Sequence, residues 1–268
     1  MTVDNAFFLN NIENIKNICI QAGSKQIEFQ NKALEIQSKI DDTPLTEVDI
    51  MSHEIILAGL KELDTTIPIV SEEGFRENVM FDNLWIVDPL DGTRNYINKG
   101  ENYCVNIAFI SENFPIFGAI FIPSKNEFFY AIQGQGAHYV FNNKTQKLDV
   151  TKSLTKTVFT SSAMNKKKLN MLSDLIKDVE IEKISSAIKF GYIAKGLGNF
   201  YPRFGPTYEW DTAAGQCILE ESGGKVVDRN LARLSYNKNK QYLNEEFFAF
   251  SGDKCFWEGV ITRLLQVS

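Results

Sequence analysis

The run Trp85-Ile86-Val87 stops against Asp88-Pro89-Leu90-Asp91, with Gly92-Thr93 directly behind. The apolar run reads as a buried strand, and a buried strand end is a poor place for two negative charges. Either the segment is a surface turn in which Asp91 bonds its own backbone, or a cation neutralises the pair. Pro89 biases Asp88 towards extended backbone, which predicts that the strand ends at Asp88 and that Pro89–Gly92 forms a tight turn. Such a turn brings both carboxylates to one side, with the Leu90 carbonyl between them. Hard oxygen ligands select Mg²⁺ or Ca²⁺, and the DxDxDG spacing and closing glutamate of an EF-hand are missing. Magnesium is the expected ion. Gly92-Thr93 leads into a short helix over 94–97, whose free amides would hold a phosphate above it.

Other acids could join this pair. Glu72 and Glu73 follow the apolar run Ile67-Pro68-Ile69-Val70, Asp211 follows Trp210 at a helix start, and Asp49 lies near the start of another helix. Each has an ordinary reading as well: a solvated strand end for the glutamates, a helix cap for Asp49 and Asp211. Two histidines, His53 and His138, in 268 residues make a histidine-rich metal site or a Ser-His-Asp triad a poor fit. A net charge of −6 argues against a nucleic-acid coat or a polybasic membrane anchor. Apolar stretches are broken well short of the roughly twenty residues that a membrane span needs. Cys19, Cys104, Cys217 and Cys255 lie far apart with no CxxC pair, which fits reduced thiols in a cytoplasmic protein. The N-terminus lacks a basic region and a cleavage site of the secretory type.

Apolar positions at helical spacing run from Phe8 to Ala22, with a second helical stretch expected through Ile27, Ala33 and Ile36. Thr46 and Asp49 form a capping-box pattern for a helix that continues to Leu63. Four apolar runs between Tyr103 and Phe141 alternate with turn signals and predict an antiparallel meander. Residues 165–179 read as a helix with a solvated lysine-rich start, Gly191–Gly198 as a helix and its end, and Trp210–Gly224 as a helix opened by Asp211. The texture changes near Thr151, so an N-terminal α+β half (1–150) and a C-terminal α/β half (151–268) are expected, with the acids in the cleft between them.

The ordered set DDTPLTEVD, SEE, WIVDPLDGT and EWDTAAG resembles the inositol monophosphatase superfamily of magnesium-dependent, lithium-sensitive phosphomonoesterases. The motifs span nearly the whole chain, in the family's order and spacing. The resemblance implies an α/β fold of alternating α-β-α-β-α layers. It implies two or three Mg²⁺ ions held by Glu72, Asp88, the Leu90 carbonyl, Asp91 and Asp211. It further implies that Asp49 and Thr93 orient and deprotonate the attacking water. The phosphate would lie against Leu90, Asp91, Gly92, Thr93 and Asp211.

Within the superfamily, YPRFGPTYEWDTAAG resembles the 3′(2′),5′-bisphosphate nucleotidases of the CysQ type. Inositol monophosphatases carry a glutamate about seven residues before the late aspartate, where this chain has Phe204 beside Arg203. Arg203 offers a fork for a second phosphate, and Lys189 in SSAIKF is expected to reach the substrate. Ser185 departs from the glycine usual in that segment. The implied reaction converts adenosine 3′,5′-bisphosphate to AMP and phosphate, in the cytoplasm. A peripheral place at the inner membrane face and a homodimer are left open.

Three other readings compete. A haloacid-dehalogenase-type phosphatase needs aspartates at i and i+2, whereas Asp88 and Asp91 stand at i and i+3. A magnesium-dependent sensor would not need the Asp49–Thr93 pair. Inositol-1-monophosphatase shares every metal ligand and differs only in the pocket.

Overall fold

Phe8, Ile15, Ile18, Cys19 and Ala22 form the buried stripe of α1 (Asn5–Phe29), which Asp4 caps by accepting from the Phe7 amide. The computed structural model describes residues 3–32, 36–38, 44–74, 81–151, 155–161, 164–237 and 241–266. Of the expected second helical stretch, Ile27 belongs to α1 itself and Ile36 is in a strand. α1 ends at Phe29, and Ile36 lies exposed in β1 (Ile36–Ser38), which pairs antiparallel with β2 (Pro44–Thr46). Ala33 falls outside the described residues. The capping box is present: Thr46 and Asp49 exchange side-chain-to-backbone bonds at the start of α2 (Glu47–Leu63).

A seven-stranded sheet follows, from β3 (Ile69–Ser71) and β4 (Asn83–Asp91), past the short helix α3 (Thr93–Ile97), to β5 (Cys104–Ser111), β6 (Phe114–Ile122), β7 (Glu127–Ile132), β8 (Gly136–Phe141) and β9 (Lys144–Leu148). Its strands lie in chain order; β3 and β4 are parallel and the rest antiparallel. The meander is as expected, and β9 extends it. That strand carries no apolar alternation because all but Leu148 of its side chains are exposed at the sheet edge.

The second sheet has the order β11-β10-β12-β16-β14. It is built from β10 (Thr157–Thr160), β11 (Glu180–Lys183), β12 (Phe200–Arg203), β14 (Lys225–Asp228) and β16 (Phe247–Phe250). Helices α4 (Lys166–Leu175), α5 (Ile188–Ala194) and α6 (Ala213–Glu221) intervene, α7 (Lys254–Gln266) follows β16, and β13 (Thr207–Tyr208) pairs with β15 (Leu243–Asn244). α5 starts at Ile188, ahead of the expected Gly191. α6 starts at Ala213 after a 3₁₀ turn over Glu209–Asp211, so Asp211 does not cap it; its carboxylate accepts from the Tyr208 amide instead.

Alternation along the strands sorts these elements into layers. Trp85, Val87, Val105, Ile107, Phe109 and Phe117 face α1 and α2. Leu84, Ile86, Ala108, Ile110 and Ile120 face the opposite way, onto α5 and α6. Those two helices also cover Tyr201, Val226, Phe247 and Ala249 of the second sheet. Val158, Phe200, Phe248 and Phe250 on its far side pack against α4 and α7. The order is thus α1/α2, first sheet, α5/α6, second sheet, α4/α7: an α-β-α-β-α layered α/β fold. Gly118 permits a close approach between the first sheet and α6, since a Cβ there would collide with the Ala214 backbone. Among the described residues no helix is long and apolar enough to cross a membrane.

Candidate active site

β4 does not end at Asp88. It continues through Pro89 to Asp91, with Asp88 opposite Asn106 and Asp91 opposite Cys104. Three steps along β4 thus match two along β5, which is a one-residue β-bulge. In a regular strand, residues three apart point to opposite faces. The extra residue corrects the phase, and both aspartates end on the face that bears Cys104 and Asn106. Pro89 is tolerated because its missing N–H falls where the ladder is already interrupted. Gly92 follows at φ +95°, and a Cβ there would lie 2.8 Å from the Asn102 carbonyl, so the turn into α3 needs glycine.

The other acids arrive from three directions. Ser71 of β3 pairs with Val87 of β4 in parallel register, which sets Glu72 beside Asp88, close enough to share a hydrogen bond. The 3₁₀ turn carries Asp211 across from the second half of the chain, and oxygen atoms of Asp88, Asp91 and Asp211 lie within 4.8 Å of one another. Asp49 stands slightly behind: Oδ2 accepts from the Thr46 amide at 2.8 Å, and Oδ1 accepts from Thr93 Oγ1 at 3.1 Å. Thr93 Oγ1 is also 3.1 Å from the Leu90 carbonyl. A cleft of about 340 Å³ opens on this group, lined among others by Glu72, Asp88, Leu90, Asp91, Gly92, Thr93, Lys189, Arg203 and Asp211. Of the expected site residues only Asp49 does not line it.

Burial makes Asp88, Asp91 and Asp211 hold protons unusually well. Asp88 is pushed well up by desolvation, then by the charges of Glu72, Asp91 and Asp211. Asp211 is pushed well up by desolvation, then by Asp91 and Glu72. Asp91 is raised by desolvation, although Lys189, the Ala187 amide, Asn106 and Cys104 act against the shift. An all-oxygen cluster whose charges repel in a dry place suits a hard divalent cation, which replaces the protons and removes the repulsion.

A family model described as the inositol monophosphatase family matches residues 10–254. The chain belongs to this family. The 3′(2′),5′-bisphosphate nucleotidase CysQ of Salmonella typhimurium (strain LT2) is 33% identical over 219 residues, covering 81% of this chain and 89% of that protein. CysQ of Haemophilus influenzae is 30% identical over 260 residues, 91% of this chain and 93% of that one. The crystal structure of CysQ from Bacteroides thetaiotaomicron superposes with a TM-score of 0.77 at 30% identity, covering 92% and 99% of the two chains. An inositol monophosphatase from Thermotoga maritima has a TM-score of 0.80 at 22% identity over 96% and 98%, a likeness of fold.

The flank that carries Lys189 and Arg203 is built from α5 and β12. Lys189 is 3% exposed; its ammonium donates to the Ile184 carbonyl at 3.1 Å and to the Ser186 carbonyl, and lies over the Tyr201 ring. Burial lowers its pKa to about 8, with Asp91 pulling the other way. Arg203 lines the cleft, but its guanidinium curls onto its own loop, donating to the Gly205 and Pro206 carbonyls at 3.2 Å each. Phe204 packs on Phe248 and under the Lys168 ammonium, away from the cleft. The lysine-rich start of α4 is therefore only partly a solvated face. At the segment in which Ser185 replaces glycine, the positive φ of +61° falls on Ser186 instead.

Several contributors escaped the sequence reading. Asn106 donates to Asp91 Oδ2 at 3.1 Å, and the Ala187 amide donates to the same oxygen at 2.5 Å. Ser161, Tyr201, Thr207 and Thr212 also line the cleft. Asn106 had left a signal: it is the one amide inside the apolar run Val105–Ile110.

Proposed function

We propose that this chain is a magnesium-dependent 3′(2′),5′-bisphosphate nucleotidase that converts adenosine 3′,5′-bisphosphate to AMP and phosphate. The observation that carries the reading is the convergence of Asp88, Asp91 and Asp211 oxygens within 4.8 Å, at a cleft that Thr93 and Asp49 also serve. The CysQ relatives supply the substrate class. Phe204 turns away from the position where an inositol monophosphatase would offer a glutamate to the sugar hydroxyls.

Glu72, Asp88, the Leu90 carbonyl, Asp91 and Asp211 would hold two or three Mg²⁺ ions. When bound, the metal supplies charge neutralisation on the attacking and leaving oxygens and lowers the pKa of water. Thr93 Oγ1, within hydrogen-bond reach of Asp49 Oδ1, accepts a bond from the attacking water and relays its proton towards the carboxylate. Water oxygen bonds to phosphorus, the bond from phosphorus to the ribose 3′-oxygen breaks, that oxygen takes up a proton from solvent water, and Asp49 returns its proton to solvent, so protons balance. Gly92 and Thr93 position the phosphate at the bulge, while Lys189 and Arg203 provide positive charge for the second phosphate. We place the enzyme in the cytoplasm, with residues 1–150 and 151–268 as two halves that meet at the cleft. The two large sheets draw their strands from either side of that division.

The test is phosphate release with and without Mg²⁺ from adenosine 3′,5′-bisphosphate, its sulfated analogue, inositol 1-phosphate and fructose 1,6-bisphosphate. Strong magnesium-dependent preference for the adenosine compounds is expected. Preference for inositol 1-phosphate would overturn the substrate assignment and leave the metal site, and no release from any substrate would overturn the hydrolytic reading.

A further inference from the structure

Gln26 is fully buried on the stripe of α1 that otherwise holds Phe8, Ile15, Cys19 and Ala22. Its Nε2 donates to the Pro89 carbonyl at 2.8 Å and to Ser52 Oγ at 3.1 Å, and its backbone carbonyl accepts from Tyr96 Oη at 2.7 Å. Its own Oε1 is buried with no hydrogen-bond partner, a cost an apolar residue would not incur. A side chain kept under that penalty calls for a reason.

The reason lies in the bulge. Pro89 and Leu90 have no ladder partners, because the register jumps from Asp88 to Asp91. The buried Pro89 carbonyl needs a donor from elsewhere, and Gln26 is that donor. Successive carbonyls in an extended chain alternate in direction, so pinning the Pro89 carbonyl to α1 turns the Leu90 carbonyl the other way, towards Thr93 Oγ1 at 3.1 Å. The Leu90 side chain is meanwhile locked in a small core with Val48, Tyr96 and Tyr103. Ser52 lies on α2, one turn from Asp49, and Tyr96 lies on α3, one turn from Thr93. One residue thus touches the bulge and both helices that carry the Asp49–Thr93 pair.

We infer that Gln26 is a positioning residue for the metal site: it holds the bulge of β4 in the phase that presents Asp88, the Leu90 carbonyl and Asp91 together. The inference rests on the metal-site reading proposed above.

The experiment measures Mg²⁺ and Mn²⁺ binding to the full chain by titration calorimetry, alongside the Mg²⁺ dependence of phosphate release, for wild type, Gln26→Met and Ile18→Val. Gln26→Met should raise the half-saturating Mg²⁺ concentration about tenfold, leaving KM at saturating metal within about twofold. Ile18→Val, which trims the same helix without touching the bulge, should lower the melting temperature and leave metal affinity unchanged. If Gln26→Met does not fold, Gln26→Leu, which also lacks the donor and adds no charge, should show the same metal shift. Metal affinity within about twofold of wild type in the folded variant overturns the inference, as does an equal shift in Ile18→Val. A wild-type chain that binds neither ion refutes the metal-site reading itself, and the inference with it.

Discussion

Thr93 and Asp49 share a 3.1 Å hydrogen bond across 44 residues of sequence, and Thr46 holds the other oxygen of the same carboxylate. The carboxylate is therefore oriented from both sides before any substrate arrives, which is the preorganisation a proton relay needs. Thr93→Val removes the hydroxyl at nearly constant volume. It should lower kcat about 10²-fold with little change in KM or melting temperature, and Thr93→Ser should restore most of the loss. Steady-state phosphate release checks both; wild-type turnover in the valine variant would exclude Thr93 from the chemistry.

Asp88 faces like charges from Glu72, Asp91 and Asp211 in a buried place. Asp88→Asn should reduce turnover by more than about 100-fold and raise the melting temperature of the metal-free protein, because one source of repulsion is gone. The thermal shift produced by Mg²⁺ should shrink in parallel. A melting curve in chelator and in Mg²⁺ tests this, and an unchanged Mg²⁺ shift would remove Asp88 from the ligand set.

The pH dependence follows from the raised pKa values of Asp88, Asp91 and Asp211. Above the ordinary aspartate range but below the raised values, the folded metal-free chain keeps protons that the unfolded chain has released. Its stability therefore falls as pH rises through that window. Metal must displace the same protons, so Mg²⁺ affinity should rise with pH above the ordinary aspartate range, with proton release on binding. Calorimetry in buffers of different ionisation enthalpy measures the released protons. Affinity independent of pH would contradict the shared-proton picture.

Arg203 already donates to the Gly205 and Pro206 carbonyls, so its guanidinium is held at the cleft rim by its own loop. Arg203→Ala should raise KM for adenosine 3′,5′-bisphosphate about tenfold and affect a monophosphate substrate far less. Equal losses on both substrates would make the arginine a loop brace only.

The parts legible in the sequence were those whose cause is local. The Thr46–Asp49 capping box closes within three residues, the α1 stripe repeats every turn, and the meander alternates at period two. Each could be read without knowing what the element packs against. The acids themselves were legible, but paired carboxylates behind an apolar run left a surface turn and a cation site both open, and only the family resemblance joined Glu72, Asp49 and Asp211 to them. The phase of the pair was not legible. Pro89 argued for a strand end at Asp88, and only pairing with β5 and the Gln26 bond to the Pro89 carbonyl carry the strand on to Asp91. Asp211 reaches Asp88 through the stacking of two sheets on α5 and α6, and Asn106 meets Asp91 through strand register. Local propensity specified the elements and the chemistry they could carry. Burial and register, which arise only when distant segments share one core, decided which carboxylates face one another.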